Sequence, residues 1–171
     1  MTSSDNARNA DNQQVIRQET ISDEYFAGFV DGEGCFYVGF SRRKDLPLNW
    51  QIITEFHLSQ NPGGKNILEA FRDRIGCGYI KPNHPNNPKD RIWVLVVKDR
   101  SDIKERLLPF FSSHPLHSQK AFDLNVFRQT LGMIERKEHL RRNGFRKIVK
   151  LVFKTNRKTA KRYSQEILLN I

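Results

Sequence analysis

The chain has 171 residues, which suits one domain of ordinary size able to bury a core without help from a disulfide or structural metal. Lys and Arg number 29 against 19 Asp and Glu, a net charge of +10 that points to a polyanionic partner. No apolar run approaches the ~18 residues of a membrane span. The two cysteines, Cys35 and Cys77, are far apart and lack Cys-x-x-Cys spacing, which argues against a disulfide framework, and two are too few ligands for a zinc knuckle.

The charge is localised. Arg141 to Arg162 holds ten Lys or Arg and no acid, so the rest of the chain is neutral. Residues 1–33 are acidic. The polar stretch 1–21 reads as a disordered leader, neither a secretory signal nor a transit peptide. Residues 22–154 read as one domain and 155–171 as a basic C-terminal tail or helix.

Ser22 is a good N-cap, and Asp23 and Glu24 follow in the first turn, where the helix dipole favours acids. Tyr25, Phe26, Phe29 and Val30 continue at helical spacing, and Gly32 to Gly34 should end the helix. Cys35 to Arg43 reads as a strand. Trp50 to Ser59 alternates, with Trp50, Ile52, Thr54, Phe56 and Leu58 on one face and Gln51, Ile53, Glu55, His57 and Ser59 on the other. Pro62-Gly63-Gly64 breaks that strand. Ile67, Leu68, Phe71 and Ile75 form a second helix closed by Gly76. Short strands follow at Tyr79 to Lys81 and Arg91 to Lys98, joined by a Pro/Asn loop. Helices are predicted over Asp102 to Phe111, from His117 or Ser118 to about Glu135, and over the amphipathic stretch Asn143 to Phe153. The order predicts an α+β fold, an antiparallel sheet with helices on one face and the other face open.

The informative stretch is Phe26-Ala27-Gly28-Phe29-Val30-Asp31-Gly32-Glu33-Gly34. Gly28 and Gly32 are four apart and bare one helix face for close approach by another helix. Asp31 and Glu33 stand at the helix C-terminus, where each acid costs about 0.3–1 kcal/mol against the dipole. Two acids at that end suggest a compensating cation, and oxygen ligands suit a hard divalent one. The plainer alternative is that Asp31 caps the turn and Glu33 is solvated.

Phe26 to Gly34 resembles the signature of the LAGLIDADG homing endonucleases, and the order of elements resembles that family's αββαββα core. Further similar blocks are Phe56-His57-Leu58-Ser59-Gln60, Ile75-Gly76-Cys77-Gly78-Tyr79-Ile80, Pro109-Phe110-Phe111, Pro115-Leu116-His117-Ser118-Gln119-Lys120, and His139 to Phe145. The resemblance implies a saddle-shaped sheet with extra C-terminal helices. It implies a site-specific double-strand DNA endonuclease, intron-encoded and promoting intron mobility, in the bacterial cytoplasm or an organelle. Glu33 and the Gly32 carbonyl would hold Mg²⁺, for which Mn²⁺ can substitute. Gln60 and Lys120 would complete the catalytic set, with His117 as the rival for the lysine position. Asp31 would cap the motif helix. One motif per chain implies a homodimer joined through Ala27, Gly28, Asp31 and Gly32, reading a pseudo-palindromic duplex.

DNA contact would fall to the open sheet face: Tyr37, Gly39, Ser41 and Arg43 from the first strand, Gln51, Ile53, Glu55, His57 and Ser59 from the second, and Tyr79, Lys81, Asn83, Arg91 and Trp93 from the later pair. Arg42, Lys44, Lys65, Lys89 and the basic stretch, including Arg142 and Lys147, would touch phosphates. Competing readings are a maturase that binds intron RNA, an inactive or metal-free DNA-binding relative, and a His-Asn-His nuclease built on His84, Asn86, Asn87 and His114. The last lacks metal-ligand spacing.

Overall fold

The computed structural model describes residues 21–155 and 162–171. The expected leader falls on residues 1–20 and part of the basic stretch on 156–161, both outside the described residues. The elements run α1 (Asp23–Glu33), β1 (Gly34–Arg42), β2 (Trp50–Gln60), α2 (Lys65–Ile75), β3 (Tyr79–Pro82), β4 (Trp93–Val97), α3 (Arg100–Asp102), α4 (Leu108–Ser113), α5 (Gln119–Glu135), α6 (Arg142–Val152) and α7 (Gln165–Leu169). Four strands form one antiparallel sheet in the order β1-β2-β4-β3. Among the described residues no helix is long and apolar enough to cross a membrane.

Local chemistry sets the boundaries. The Ser22 side chain accepts from the Tyr25 N–H and starts α1. Gly34 turns the chain from α1 directly into β1; a Cβ there would lie 2.6 Å from the Val30 carbonyl oxygen. Gly76 ends α2 in the left-handed region with φ 68°. The single helix expected over Asp102 to Phe111 is instead α3 and α4 joined by a π-helical turn, Ile103–Leu107. The Leu108 N–H bonds the Ile103 carbonyl five residues back. This wider turn accommodates Pro109, which has no N–H for the ordinary ladder.

The helices cover one sheet face. In β2 burial alternates along its whole length, with Trp50, Ile52, Thr54, Phe56 and Leu58 inward. The main core joins α1, α2, α4 and α5 to this face through Phe26, Phe36, Phe56, Phe71, Phe111 and Phe127. The rings meet tilted or edge-on, Phe36 to Phe56 at 5.3 Å and Phe71 to Phe110 at 5.2 Å. A second cluster packs Phe145, Ile148, Val149 and Val152 of α6 on Trp50 and Ile52. Leu168 of α7 is fully buried in it, so packing continues beyond residue 154.

Candidate nuclease site and nucleic-acid interface

The C-terminal end of α1 is one corner of the molecule. Gly34, the first residue of β1, pairs with Leu58 of β2. Two residues further along, Gln60 is the last residue of β2. Lys120, in the first turn of α5, donates from Nζ to the Gly34 carbonyl. The structure thereby sets Lys120 against the residue that follows Glu33, although the two are far apart in sequence, while Gln60 closes the strand paired with β1. His117 enters the same corner through its backbone, its N–H bonding Asp31 at 3.1 Å.

Asp31 and Glu33 have different surroundings. The Asp31 carboxylate accepts from the backbone N–H groups of His117 and Ser118 and from the Ser118 hydroxyl at 2.8 Å. Partial burial raises its pKa, but these hydrogen bonds outweigh that and hold it below the usual carboxylate value. It therefore secures the start of α5, where Ser118 is the N-cap. The expectation that it caps its own helix is corrected: the groups it satisfies belong to α5. Glu33 is exposed and makes no hydrogen bond or ion pair among the described residues. Gln60 packs over Gly64, and its Oε1 accepts from the Asn61 N–H at 2.7 Å.

Among the described residues the outward face of α1 is bare: a Cβ added at Gly28 or at Gly32 would meet none of them within 4 Å. Tyr25 is 53% exposed beside them and stacks on Phe29. Ala27, expected on this face, is 6% exposed and belongs to the chain's own core. Within one chain, no group of three His, Cys, Asp or Glu side chains among the described residues could hold a metal ion. A carboxylate without partners, beside the Gly32 carbonyl, does fit the oxygen-ligand preference of a hard cation. One copy supplies one such carboxylate.

The open sheet face carries the polar row of β2. Register sets Tyr37 opposite Glu55, Gly39 opposite Ile53, Ser41 opposite Gln51, and Cys35 opposite His57. On the other side Val94 meets Ser59 and Lys81, and Val96 meets His57 and Tyr79. Tyr37, Ser41, Gln51, Ile53, Glu55, His57, Ser59, Tyr79 and Lys81 therefore share this face. Tyr37 stacks on His57. The His57 ring shares a hydrogen bond with Glu55 at 2.8 Å. Burial alone would lower the His57 pKa, but hydrogen bonds to Cys35 and Glu55 reverse this and hold it above its usual value.

Other residues expected on this face are placed differently. Trp93 pairs with Gln60 and Pro82 and joins the main core, so it faces the helices, with the Lys65 ammonium 4.7 Å from its ring. Arg91 precedes β4 and is exposed. Asn83 donates to Asp90 at 3.0 Å within the β3–β4 loop. Arg43 lies just past β1 and is held by Asp45 at 2.6 Å; the Asp45 carboxyl is lowered to about 2 by that guanidinium. Arg42 lies over Trp50 at 4.0 Å. Arg142 and Lys147 are exposed on α6, opposite the arc that packs on Trp50 and Ile52, and so lie away from the open face.

Lys98 is the residue the alternation missed. β4 is buried on both faces from Val94 to Val97, so its composition carries no parity. Only the ladder shows that its even positions look outward. The signal was Tyr79 and Lys81, whose partners Val96 and Val94 set that parity.

The LAGLIDADG endonuclease family model matches residues 26–131, more than half of the chain. The chain is a member of the LAGLIDADG endonuclease family. It is 36% identical to a homing endonuclease, I-TnaI, whose crystal structure superposes with a TM-score of 0.75 over 86% of this chain and 93% of that one. An archaeal intron-encoded homing endonuclease, I-Vdi141I, solved in complex with DNA, is 25% identical with a TM-score of 0.75, over 86% of this chain and 91% of that one. The Aeropyrum pernix homing endonuclease I-ApeII is 26% identical over 90% of this chain and 91% of its own length. A probable intron-encoded endonuclease of Neurospora crassa is 28% identical over 74% of this chain. The chain spans about a quarter of the length of that protein and of a Podospora anserina intron protein that it also resembles.

Proposed function

We propose that this chain is a site-specific, metal-dependent DNA endonuclease that acts as a symmetric homodimer on a long pseudo-palindromic duplex, in the manner of an intron-homing enzyme. The observation that carries this reading is Glu33, an acid without partners at the end of a glycine-faced helix, beside a sheet face rich in hydrogen-bonding side chains. Joining two copies through Gly28 and Gly32 brings two Glu33 carboxylates together on the two-fold axis. Two sites, one per strand, then suit a double-strand cut.

Glu33 and the Gly32 carbonyl of each copy would hold Mg²⁺ or Mn²⁺. A divalent cation bound there supplies an activated water and neutralises charge on the phosphate and the leaving oxygen. Lys120 holds a positive charge against the Gly34 carbonyl, where it opposes the developing phosphate charge. Gln60 offers an amide at the edge of the same corner. Asp31 fixes the approach of α5 and thereby the position of Lys120.

The test is cleavage of a duplex selected by the protein from randomised DNA. With Mg²⁺ the wild-type chain should make a staggered double-strand cut, and EDTA should stop it. Binding without cutting at any divalent metal would favour a nucleic-acid-binding relative, including one that binds intron RNA.

A further inference from the structure

The ladder that corrects β4 also exposes a charged row across the open face. Phe56 pairs with Val97, and one step further sets Lys98 opposite Glu55. Glu55 in turn pairs with Tyr37. Lys98 Nζ lies 3.4 Å from Glu55 Oε1, while the other carboxylate oxygen holds His57 at 2.8 Å. The three side chains are layered by exposure: Glu55 at 19%, His57 at 30% and Lys98 at 50%. The acid is the anchor and the ammonium is the group presented to solvent. Tyr79 flanks that ammonium from β3. A groove of about 570 Å³ opens beside it, lined by Gly78, Tyr79, Val96 and Lys98. Asp99 and Asp102 also line the groove, but Asp99 caps the backbone N–H groups of Ser101 and Asp102, and Asp102 pairs with Arg106 at 3.4 Å.

We propose that Lys98 is a specificity-determining residue that donates to a guanine edge in the major groove, and that Glu55 is its positioning residue. This deepens the proposed function and rests on the open face being the DNA-contacting surface. A cation already compensated by Glu55 attracts phosphates weakly, so its value lies in directed donors. An ammonium has three N–H donors and no acceptor. Tyr79 and Glu55 engage two of them and leave one for a base. Guanine alone presents two adjacent major-groove acceptors, N7 and O6, whereas adenine pairs its acceptor with a donor. Lys98 follows β4 directly, opposite the middle of β2 and on the same face as Val96.

The experiment is target selection from randomised duplexes with the full chain and with Lys98→Ala, Lys98→Arg, Glu55→Gln and Glu55→Asp. The wild-type profile should show guanine at one position in each half-site, preferred roughly 5- to 150-fold over other bases. Lys98→Ala should flatten that position and leave the others unchanged, and Lys98→Arg should keep the preference. Glu55→Gln should weaken discrimination at the same position, with recovery in Glu55→Asp. A Lys98→Ala profile identical to wild type overturns the proposal. So does an affinity loss spread evenly over all positions, which marks a phosphate contact. A wild-type chain that enriches no sequence overturns the DNA-contacting reading of the open face, and this inference falls with it.

Discussion

The two ends of α1 carry two acids each and treat them differently. At the N-terminus Asp23 and Glu24 lie where the helix dipole welcomes negative charge. Asp23 is also held bidentately by Arg74 at 2.5 and 2.6 Å, with His114 3.6 Å away. At the C-terminus the dipole opposes acids, and no basic residue lies in the last turn. There Asp31 is recruited to the start of α5, and Glu33 is left exposed with no partner among the described residues. An acid held against the dipole, with nothing among the described residues to offset it, contributes no stability to the single chain. The proposed cation and second copy would supply that offset.

The largest effect should come from Glu33→Gln. It removes one oxygen charge and leaves the fold unchanged. Cleavage of the selected duplex should fall by roughly 100-fold or more, while the melting temperature stays level or rises slightly. A variant that cuts normally would remove Glu33 from the chemistry. Gly28→Leu should come next. The single chain has room for the side chain, so its melting should be little changed, but two helices could no longer close. Sedimentation should show the dimer dissociation constant raised roughly 100-fold, about 2.7 kcal/mol. Dimers of unaltered affinity would break the assignment of this face.

Asp31→Ala should cost about 1–3 kcal/mol of stability, because the N–H groups of His117 and Ser118 lose their acceptor. Chemical denaturation measures this, and a loss as small as that of a surface substitution would contradict the anchoring role. Asp23→Asn should cost least, under about 1 kcal/mol, since the Arg74 pair is largely exposed. Its signature is in the pH dependence. The hydrogen bond from Arg74 holds the Asp23 carboxyl below its usual value against a smaller effect of burial. Its contribution is thus complete above the unfolded value near pH ~3.9 and is lost as pH falls through the lower folded value. Wild-type and variant stabilities should converge in acid, and a constant gap down to low pH would refute the pairing.

Much of this was legible in the sequence. β2 reads directly from Trp50 to Ser59 because one face is buried and the other is not. Ser22 and Gly76 announce helix ends by their own chemistry. β4 reads as a strand but its facing does not, because Val94 to Val97 are covered on both faces and no alternation survives; parity alone sets Trp93 outward and passes over Lys98. The partner of Asp31 lies 86 and 87 residues away, a distance that no local pattern spans. The π turn before Pro109 is a tertiary accommodation of one missing N–H. Glu33 and Gly28 were legible through the motif, but their lack of neighbours is a property of the fold alone.

The most direct test of the central claim is strand-resolved cleavage by mixed dimers. Wild-type chain and Glu33→Gln chain, carrying different tags, are co-purified as a heterodimer and given the selected duplex with Mg²⁺. Two Glu33 carboxylates acting one per strand predict that the wild-type dimer cuts both strands, the heterodimer nicks one, and the double variant cuts neither. A heterodimer that cuts both strands at the wild-type rate would contradict the account.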